Sequence, residues 1–247
     1  MDKIQKLFAN AKSENDNVDV IPGLSSLPFK DLPHEIHLSK PSNEIVPYLY
    51  RMAQKLPQAK ALLLNTYEEL NPIPLTNYLK SKVKKELTLT WVAQPLSITQ
   101  RMMYKLQENL PEGFLERTKR KGMVVSWAPQ RKILQHGSVG VFVTHGGYHS
   151  LQESILSGVP MIFRSVWADN HINAKIAEEV WGIGVRVEDR VITKSRMVKC
   201  LEIVFEQEKK KKMRQACDEL KQVLIKADGP DSGAAKNLKT LSQLISG

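Results

Sequence analysis

Short apolar runs, each followed by a stretch with helical spacing, recur through the second half of the chain. Val124-Val125, Val139 to Thr144, Val159 to Phe163 and Gly184 to Val187 read as strands. Lys132 to Gln135, Ser150 to Leu156, Asn173 to Val180 and Lys194 to Glu206 read as helices, with apolar positions three and four apart. Strict alternation of the two predicts an α/β domain with a parallel, doubly wound sheet. A last helix is predicted over residues 234 to 245, after the turn-forming Asp228-Gly-Pro-Asp-Ser-Gly.

The first half is less regular. Residues 1 to 18 read as a helix tail and a polar loop, and 19 to 33 as an ordered loop rich in proline and glycine. Residues 44 to 57 have helical spacing, Ala61 to Asn65 reads as a short buried strand, and a helix is expected near Leu75 to Lys85. Within 86 to 103 only LTLTWVA has strand character.

Charge adds one feature. The net charge is +10, and Lys209 to Lys212 form its densest run. The same segment sets Met213, Ala216, Leu220, Val223 and Leu224 on one face, so the lysines fall on the solvated side of an amphipathic helix. No nucleic-acid motif accompanies the charge, and nucleic acid is not an expected partner. A basic surface would instead help attract a diphosphate.

The 247 residues are enough for one large domain or two modest ones. No apolar run approaches the roughly 18 residues that span a bilayer, so stable membrane insertion is not expected. The N-terminus lacks the features of a secretory signal. Cys200 and Cys217 are too few for a disulfide framework, and the expected location is cytoplasmic. No His, Cys or acidic cluster has metal-ligand spacing, so no metal is expected.

The chemistry concentrates in GVFVTHGGYHSLQESILSGVPMIF, residues 140 to 163. In a parallel sheet, ligands sit beyond the carboxyl ends of the strands, and His145 is placed there. Gly146 and Gly147 allow a tight turn and leave room for a close ligand. The following helix would aim its free N–H groups and positive end at the same spot. An anion site, and in particular a nucleotide site, is one reading. The other is purely local: Ser150-x-x-Glu153 fits a capping box and Gly-Gly a plain turn. The motif is neither a Walker loop nor G-x-G-x-x-G. The residues alone leave both readings open.

A longer match extends the first reading. From Trp127 to Asn170 the chain reads WAPQRKILQHGSVGVFVTHGGYHSLQESILSGVPMIFRSVWADN. This resembles the signature box of plant UDP-sugar-dependent glycosyltransferases of secondary metabolism, without insertion or deletion. LPEGFLERTKRKGMVVSWAPQ, VWGIGVRVE, VIPGLSSLPFKDLP and LLLNTYEEL resemble the subgroup that glucosylates flavonoid 3-hydroxyls, including those of anthocyanidins. The box departs at five positions: Gly146 stands for Cys, Tyr148 for Trp, His149 for Asn, Ser165 for Pro and Asn170 for Gln.

The resemblance implies a GT-B-like fold. Residues 1–100 would be a partial N-terminal, acceptor-side domain. Residues 101–247 would be a C-terminal, Rossmann-like parallel-sheet domain that holds the UDP-sugar, with the last helix free to return to the N-terminal part. It implies transfer of a hexose, glucose by expectation, from a UDP-sugar to a small phenolic acceptor, with inversion and with no cofactor besides the donor. Trp127 would stack on uracil, Ala128 would meet its edge through the backbone, and Gln130 lies beside them. Glu153 would accept from the ribose hydroxyls. His145, Gly147 and Ser150 would surround the diphosphate, with His149 at the position of the family's Asn. Asp169 and Asn170 would face the sugar; a final Gln goes with glucose in the family and His with galactose.

Two family parts are expected to be missing. The chain is expected to begin inside the family's N-terminal domain, beyond its general-base histidine, which His34 and His37 do not match. Near residues 95–105 it is expected to pass directly over the interdomain linker and the usual first strand of the C-terminal sheet. The alternative function is therefore a truncated, catalytically incompetent relative that binds UDP or a partner only.

Overall fold

The computed structural model describes residues 28–32, 45–55, 58, 61–64, 66–70, 88–91, 110–125, 127–166 and 169–246. In the N-terminal part, helix α1 (Ile45–Lys55) precedes strands β1 (Ala61–Leu64) and β2 (Thr88–Trp91). The two strands pair in parallel, from Ala61 opposite Thr88 to Leu64 opposite Trp91. LTLTWVA thus supplies a strand. The helix expected near Leu75 to Lys85, His34 and His37, the domain boundary near 100 and the expected gap at 95–105 lie outside the described residues.

The C-terminal part opens with two short helices, α2 (Phe114–Thr118) and α3 (Gln130–Leu134). Strand β3 (Phe142–Thr144) follows, then α4 (Tyr148–Ser157), β4 (Met161–Phe163) and α5 (Asn170–Lys175). Helix α5 widens into a π turn over Ile176–Val180 before β5 (Gly184–Arg186). Helices α6 (Lys194–Phe205), α7 (Gln207–Ala227) and α8 (Gly233–Ser246) complete the order, and α8 packs against β2. The three strands form a parallel sheet ordered β3-β4-β5, with Phe142 opposite Met161 and Met161 opposite Gly184.

Two expectations are corrected. Val124-Val125 is not a strand: it has no ladder partner among the described residues, and Val125 is largely exposed. A strand needs a neighbour to satisfy its backbone, and here β3 is the outer strand on that side. Helix α4 starts at Tyr148, not Ser150, and Gly147 is its N-cap with no side-chain cap bond. Ser150 therefore lies inside the helix, and the capping box does not form.

Successive residues of a strand face opposite sides, and β4 shows why its run is wholly apolar. Met161 and Phe163 pack with Leu151, Ile155, Ala174 and Cys217 on one side of the sheet. Ile162 packs with Val185, Val187, Cys200 and Val204 on the other. Helix α7 turns Cys217, Leu224 and Ala227 into the first cluster while Lys209 to Lys212 remain exposed, as its amphipathic pattern requires.

Parts of the N-terminal half are built into this C-terminal core. Tyr67 and Leu70 are buried in the first cluster, and the Tyr67 hydroxyl donates to Asp228 Oδ1 at 3.0 Å. Burial and the neighbouring Asp228 carboxylate push the Tyr67 phenol well above its ordinary pKa, so it stays a donor. Asp31, only 3% exposed, accepts from Arg186 at 3.2 Å and Arg190 at 3.1 Å, with Lys175 at 3.9 Å. Arg190 also donates to the Lys30 carbonyl. It does so from a turn in which Asp189 and Arg190 have φ of 50° and 59°. Neither residue is a glycine, so this turn is strained, and the contacts of Arg190 offset that strain.

Removing the Asp31 carboxylate would leave Arg190 without its acidic partner, while Arg186 and Lys175 would keep only Glu178 and Glu179. Asp31→Ala is expected to lower stability by about 2 kcal/mol, below the ~3–5 kcal/mol of a wholly buried pair because the arginines are part-exposed. Urea unfolding followed by circular dichroism measures it; an unchanged midpoint would remove Asp31 from this role. Cys200 and Cys217 are both buried, and burial, then Asp218, pushes the Cys217 thiol up to about 12. Only a thiolate reacts with a disulfide reagent, so at pH 8 neither cysteine should react until the protein is unfolded. A timed thiol titration with and without denaturant decides it.

Candidate functional site

The site grows from the turn between β3 and α4. Thr144 ends the strand, and its hydroxyl accepts from the Gly146 N–H at 3.3 Å. Gly146 has φ of +90°, a conformation that side chains disfavour. A Cβ there would also stand 3.1 Å from the Asn170 carbonyl oxygen, so the turn after β3 touches the start of α5. At Gly147 a Cβ would fall 2.5 Å from His145 Nε2: the imidazole folds back over this residue. His145 and His149 are both exposed at the mouth of the turn.

Helix α4 carries the next residues. Ser150 and Glu153 are three apart and share a face. The Gln130 side-chain amide donates to Ser150 Oγ at 3.1 Å and to Glu153 Oε2 at 2.7 Å. One amide thus docks α3 onto α4 and orients both groups. A carboxylate can accept about four hydrogen bonds, so Glu153 keeps capacity for further donors. Trp127 lies just before Gln130 with 48% of its surface open, and Ala128 is half-buried beside it.

The start of α5 closes the other side. Asp169 is exposed, and its Oδ2 accepts from Asn173 Nδ2 at 2.9 Å. The same Nδ2 donates to the Gly146 carbonyl at 3.0 Å. Asn170 is buried to 4%, and its carbonyl accepts from Ser165 Oγ at 3.1 Å. Trp127, Ala128, Gln130, Ser150 and Glu153 therefore cluster at α3 and the first turns of α4, His145, Gly147 and His149 line the turn, and Asp169 and Asn170 face it from α5. Two contributors were not singled out by the sequence: Asn173 carries a signal, its i, i+4 spacing from Asp169, and Thr66 carries none. Ser165 was marked only as a departure from the box.

Tyr148 links this turn to the N-terminal half, sharing a short hydrogen bond with the Thr66 hydroxyl. Burial raises the Tyr148 phenol above its ordinary pKa, although hydrogen bonds with Thr66 and Gln152 act in the other direction. A separate cavity of about 570 Å³ opens beyond the ends of β4 and β5, between Phe163, Ser165, His171, Arg186 and the N-terminal Lys30 and Asp31. Its arginines are committed to Asp31, Glu178 and Glu179, so it is the seam between the two halves rather than an open charged site. Among the described residues, no group of three His, Cys, Asp or Glu could hold a metal ion. None of their helices is long and apolar enough to cross a membrane.

An exposed indole precedes the docked Ser150–Glu153 pair, and a glycine turn at a helix start meets the helix that carries an exposed carboxylate. The family model for UDP-glucoronosyl and UDP-glucosyl transferase matches residues 81–219, more than half of the chain. The chain belongs to this family. It is 34% identical to an anthocyanidin 3-O-galactosyltransferase of Rhododendron delavayi, over 95% of this chain and 63% of that protein. It is 35% identical to an anthocyanidin 3-O-glucosyltransferase of Vitis vinifera, over 94% of this chain and 62% of that protein. The crystal structure of UDP-glucose: anthocyanidin 3-O-glucosyltransferase in complex with UDP superposes with a TM-score of 0.86 at 31% identity, covering 99% of this chain and 66% of that one.

The fold is thus GT-B, and the chain spans less than two thirds of the length of these relatives. The Rhododendron alignment runs over 292 positions, 45 more than the 247 residues here. At least that many residues of the relative, between the aligned ends, have no counterpart in this chain. Among the described residues the C-terminal sheet begins at β3.

The glycine turn yields a direct test. Gly146→Ala places a methyl at φ +90° against the Asn170 carbonyl. It should cost about 2 kcal/mol of stability, read from the urea midpoint. A neutral result would mean that the turn and α5 do not meet as described.

Proposed function

We propose that this chain binds a UDP-hexose at the β3–α4 turn and serves transfer of the hexose, with inversion, to a hydroxyl of a flavonoid- or anthocyanidin-type phenol. The observation that supports this reading is the Gln130–Ser150–Glu153 cluster on the helix that follows the Gly146-Gly147 turn, with the exposed Trp127 three residues before Gln130. Each group suits one part of the donor. The open face of Trp127 stacks on uracil, with the Ala128 backbone at its edge. Glu153, oriented by Gln130, accepts from the ribose hydroxyls.

The diphosphate lies at the start of α4, where the N–H groups of Tyr148, His149 and Ser150 precede the first intrahelical bonds. His145, His149 and the Ser150 hydroxyl add donors there. Asp169 and Asn170 face the hexose. In the reaction a bond forms from the acceptor oxygen to the anomeric carbon as the bond to the UDP oxygen breaks, and the acceptor hydroxyl gives up its proton to a base. The helix start and His145 stabilise the charge that collects on the departing UDP. The general base is not assigned to a described residue. Relatives with galactosyl and with glucosyl names stand at nearly equal identity, so the shorter Asn170 keeps both sugars in view.

A second reading is UDP binding without transfer. The 45 or more aligned positions that this chain lacks favour it. Calorimetric titration of folded protein with UDP addresses the part common to both. Saturable binding is expected, and Trp127→Ala should weaken it by about tenfold or more, since base–aromatic stacking is worth about 1–3 kcal/mol. Glu153→Ala should weaken it comparably with the fold intact. Wild-type affinity in either folded variant would dismiss the role given to that residue. A subsequent assay of UDP release with flavonol acceptors separates transfer from binding alone.

A further inference from the structure

The proposed donor site has two ends on different elements, the turn after β3 and the start of α5. Nothing in the chain order keeps them in a fixed relation. A single side chain spans the gap: Asn173 Nδ2 is 3.0 Å from the Gly146 carbonyl and 2.9 Å from Asp169 Oδ2. Both partners are pure acceptors, so the amide nitrogen must face them, and its two N–H groups are divided one to each.

We propose that Asn173 is a positioning residue for the donor sugar: it aims the Asp169 carboxylate by tying it to the backbone of the diphosphate turn. The inference rests on the donor-site reading given above. Asp169 is exposed and is the N-cap of α5 without capping the helix through its side chain. Left to itself, such a carboxylate would sample several rotamers in water. Asn173 holds one oxygen, Oδ2, and the remaining acceptor capacity of the carboxylate is presented outward for hydroxyl donors.

The other end of the tie is equally specific. Gly146 is where the turn approaches α5 most closely, with the Asn170 carbonyl in the space a side chain would fill. Asn173 bonds the carbonyl of that same glycine. Ser165 Oγ holds the Asn170 carbonyl from the opposite side. Movement of the diphosphate turn therefore carries the sugar-side carboxylate with it. The geometry predicts that Asn173 affects recognition of the hexose more than recognition of UDP, because uracil and ribose are held by Trp127 and Glu153 on the far side of α4.

The test is a calorimetric double-mutant cycle on the full chain, with UDP, UDP-glucose and UDP-galactose as the ligands. Asn173→Ala removes the tie. Asn173→Asp keeps the side-chain shape and removes both donors, and it serves if the alanine variant does not fold. Either folded variant is expected to bind UDP within about threefold of wild type. The better-bound UDP-hexose should lose about tenfold more affinity than UDP does, the scale of a lost hydrogen bond to a charged group.

In an Asp169→Ala background the extra hexose-specific loss from Asn173→Ala should vanish, because the group it aims is gone. Equal losses for UDP and UDP-hexose would overturn the proposal and leave Asn173 a structural brace. So would a hexose-specific loss that persists at full size without Asp169, or no loss at all. If the wild type binds neither UDP nor a UDP-hexose, the donor-site reading falls first and this inference with it. If it binds both, only the behaviour of the Asn173 variants decides.

Discussion

The close approach of Gly146 to the Asn170 carbonyl is the contact on which the site depends. Two parallel strands, β3 and β4, each end in a turn that leads into a helix, and both turns open at the same end of the sheet. That arrangement alone would leave the turns a side chain apart. The absence of a Cβ at Gly146, together with its positive φ, lets backbone meet backbone. Ser165 and Asn173 then hydrogen-bond the carbonyls involved, so the contact is polar and satisfied rather than merely tight.

The same contact explains how this chain absorbs its departures from the family box. A cysteine at 146 would meet the Asn170 carbonyl; a glycine does not. A proline at 165 could not donate, whereas Ser165 gives its hydroxyl to that carbonyl. Tyr148, in place of tryptophan, ends in a hydroxyl that reaches Thr66. Each replacement lies next to the turn, and each is matched by a partner in the structure. His149 is the exception: it is exposed, and no hydrogen bond of its side chain explains it.

The C-terminal half does not form its core alone. Tyr67 and Leu70 fill the space between the sheet side and α7, and Asp31 neutralises a group of cations at the β5 end. Buried charge persists only when paired, so these N-terminal segments and the C-terminal sheet stabilise each other. The Thr66–Tyr148 bond extends that dependence to the first residue of α4, one position beyond the glycine turn. The start of α4 is in this way tied to a segment far away in sequence.

By itself the sequence determined the alternation of strands and helices after residue 139, the buried face of α7, and the likeness of the box from Trp127 to Asn170 to the family signature. Those are local matters: apolar period, turn chemistry and a contiguous motif. It set the start of the helix at Asn173, whereas the structure starts it at Asn170, which brings Asn173 one turn beyond Asp169. Only the tertiary structure decided that Val124-Val125 joins no strand among the described residues, where a ladder needs a neighbour and β3 is the outer strand. Only it decided that Ser150 serves Gln130 instead of capping α4, and that Thr66, Tyr67 and Asp31 belong to the C-terminal packing. Such contacts join residues twenty or more, and in most cases more than eighty, positions apart. No periodicity records them, because they exist only once burial has brought the elements together.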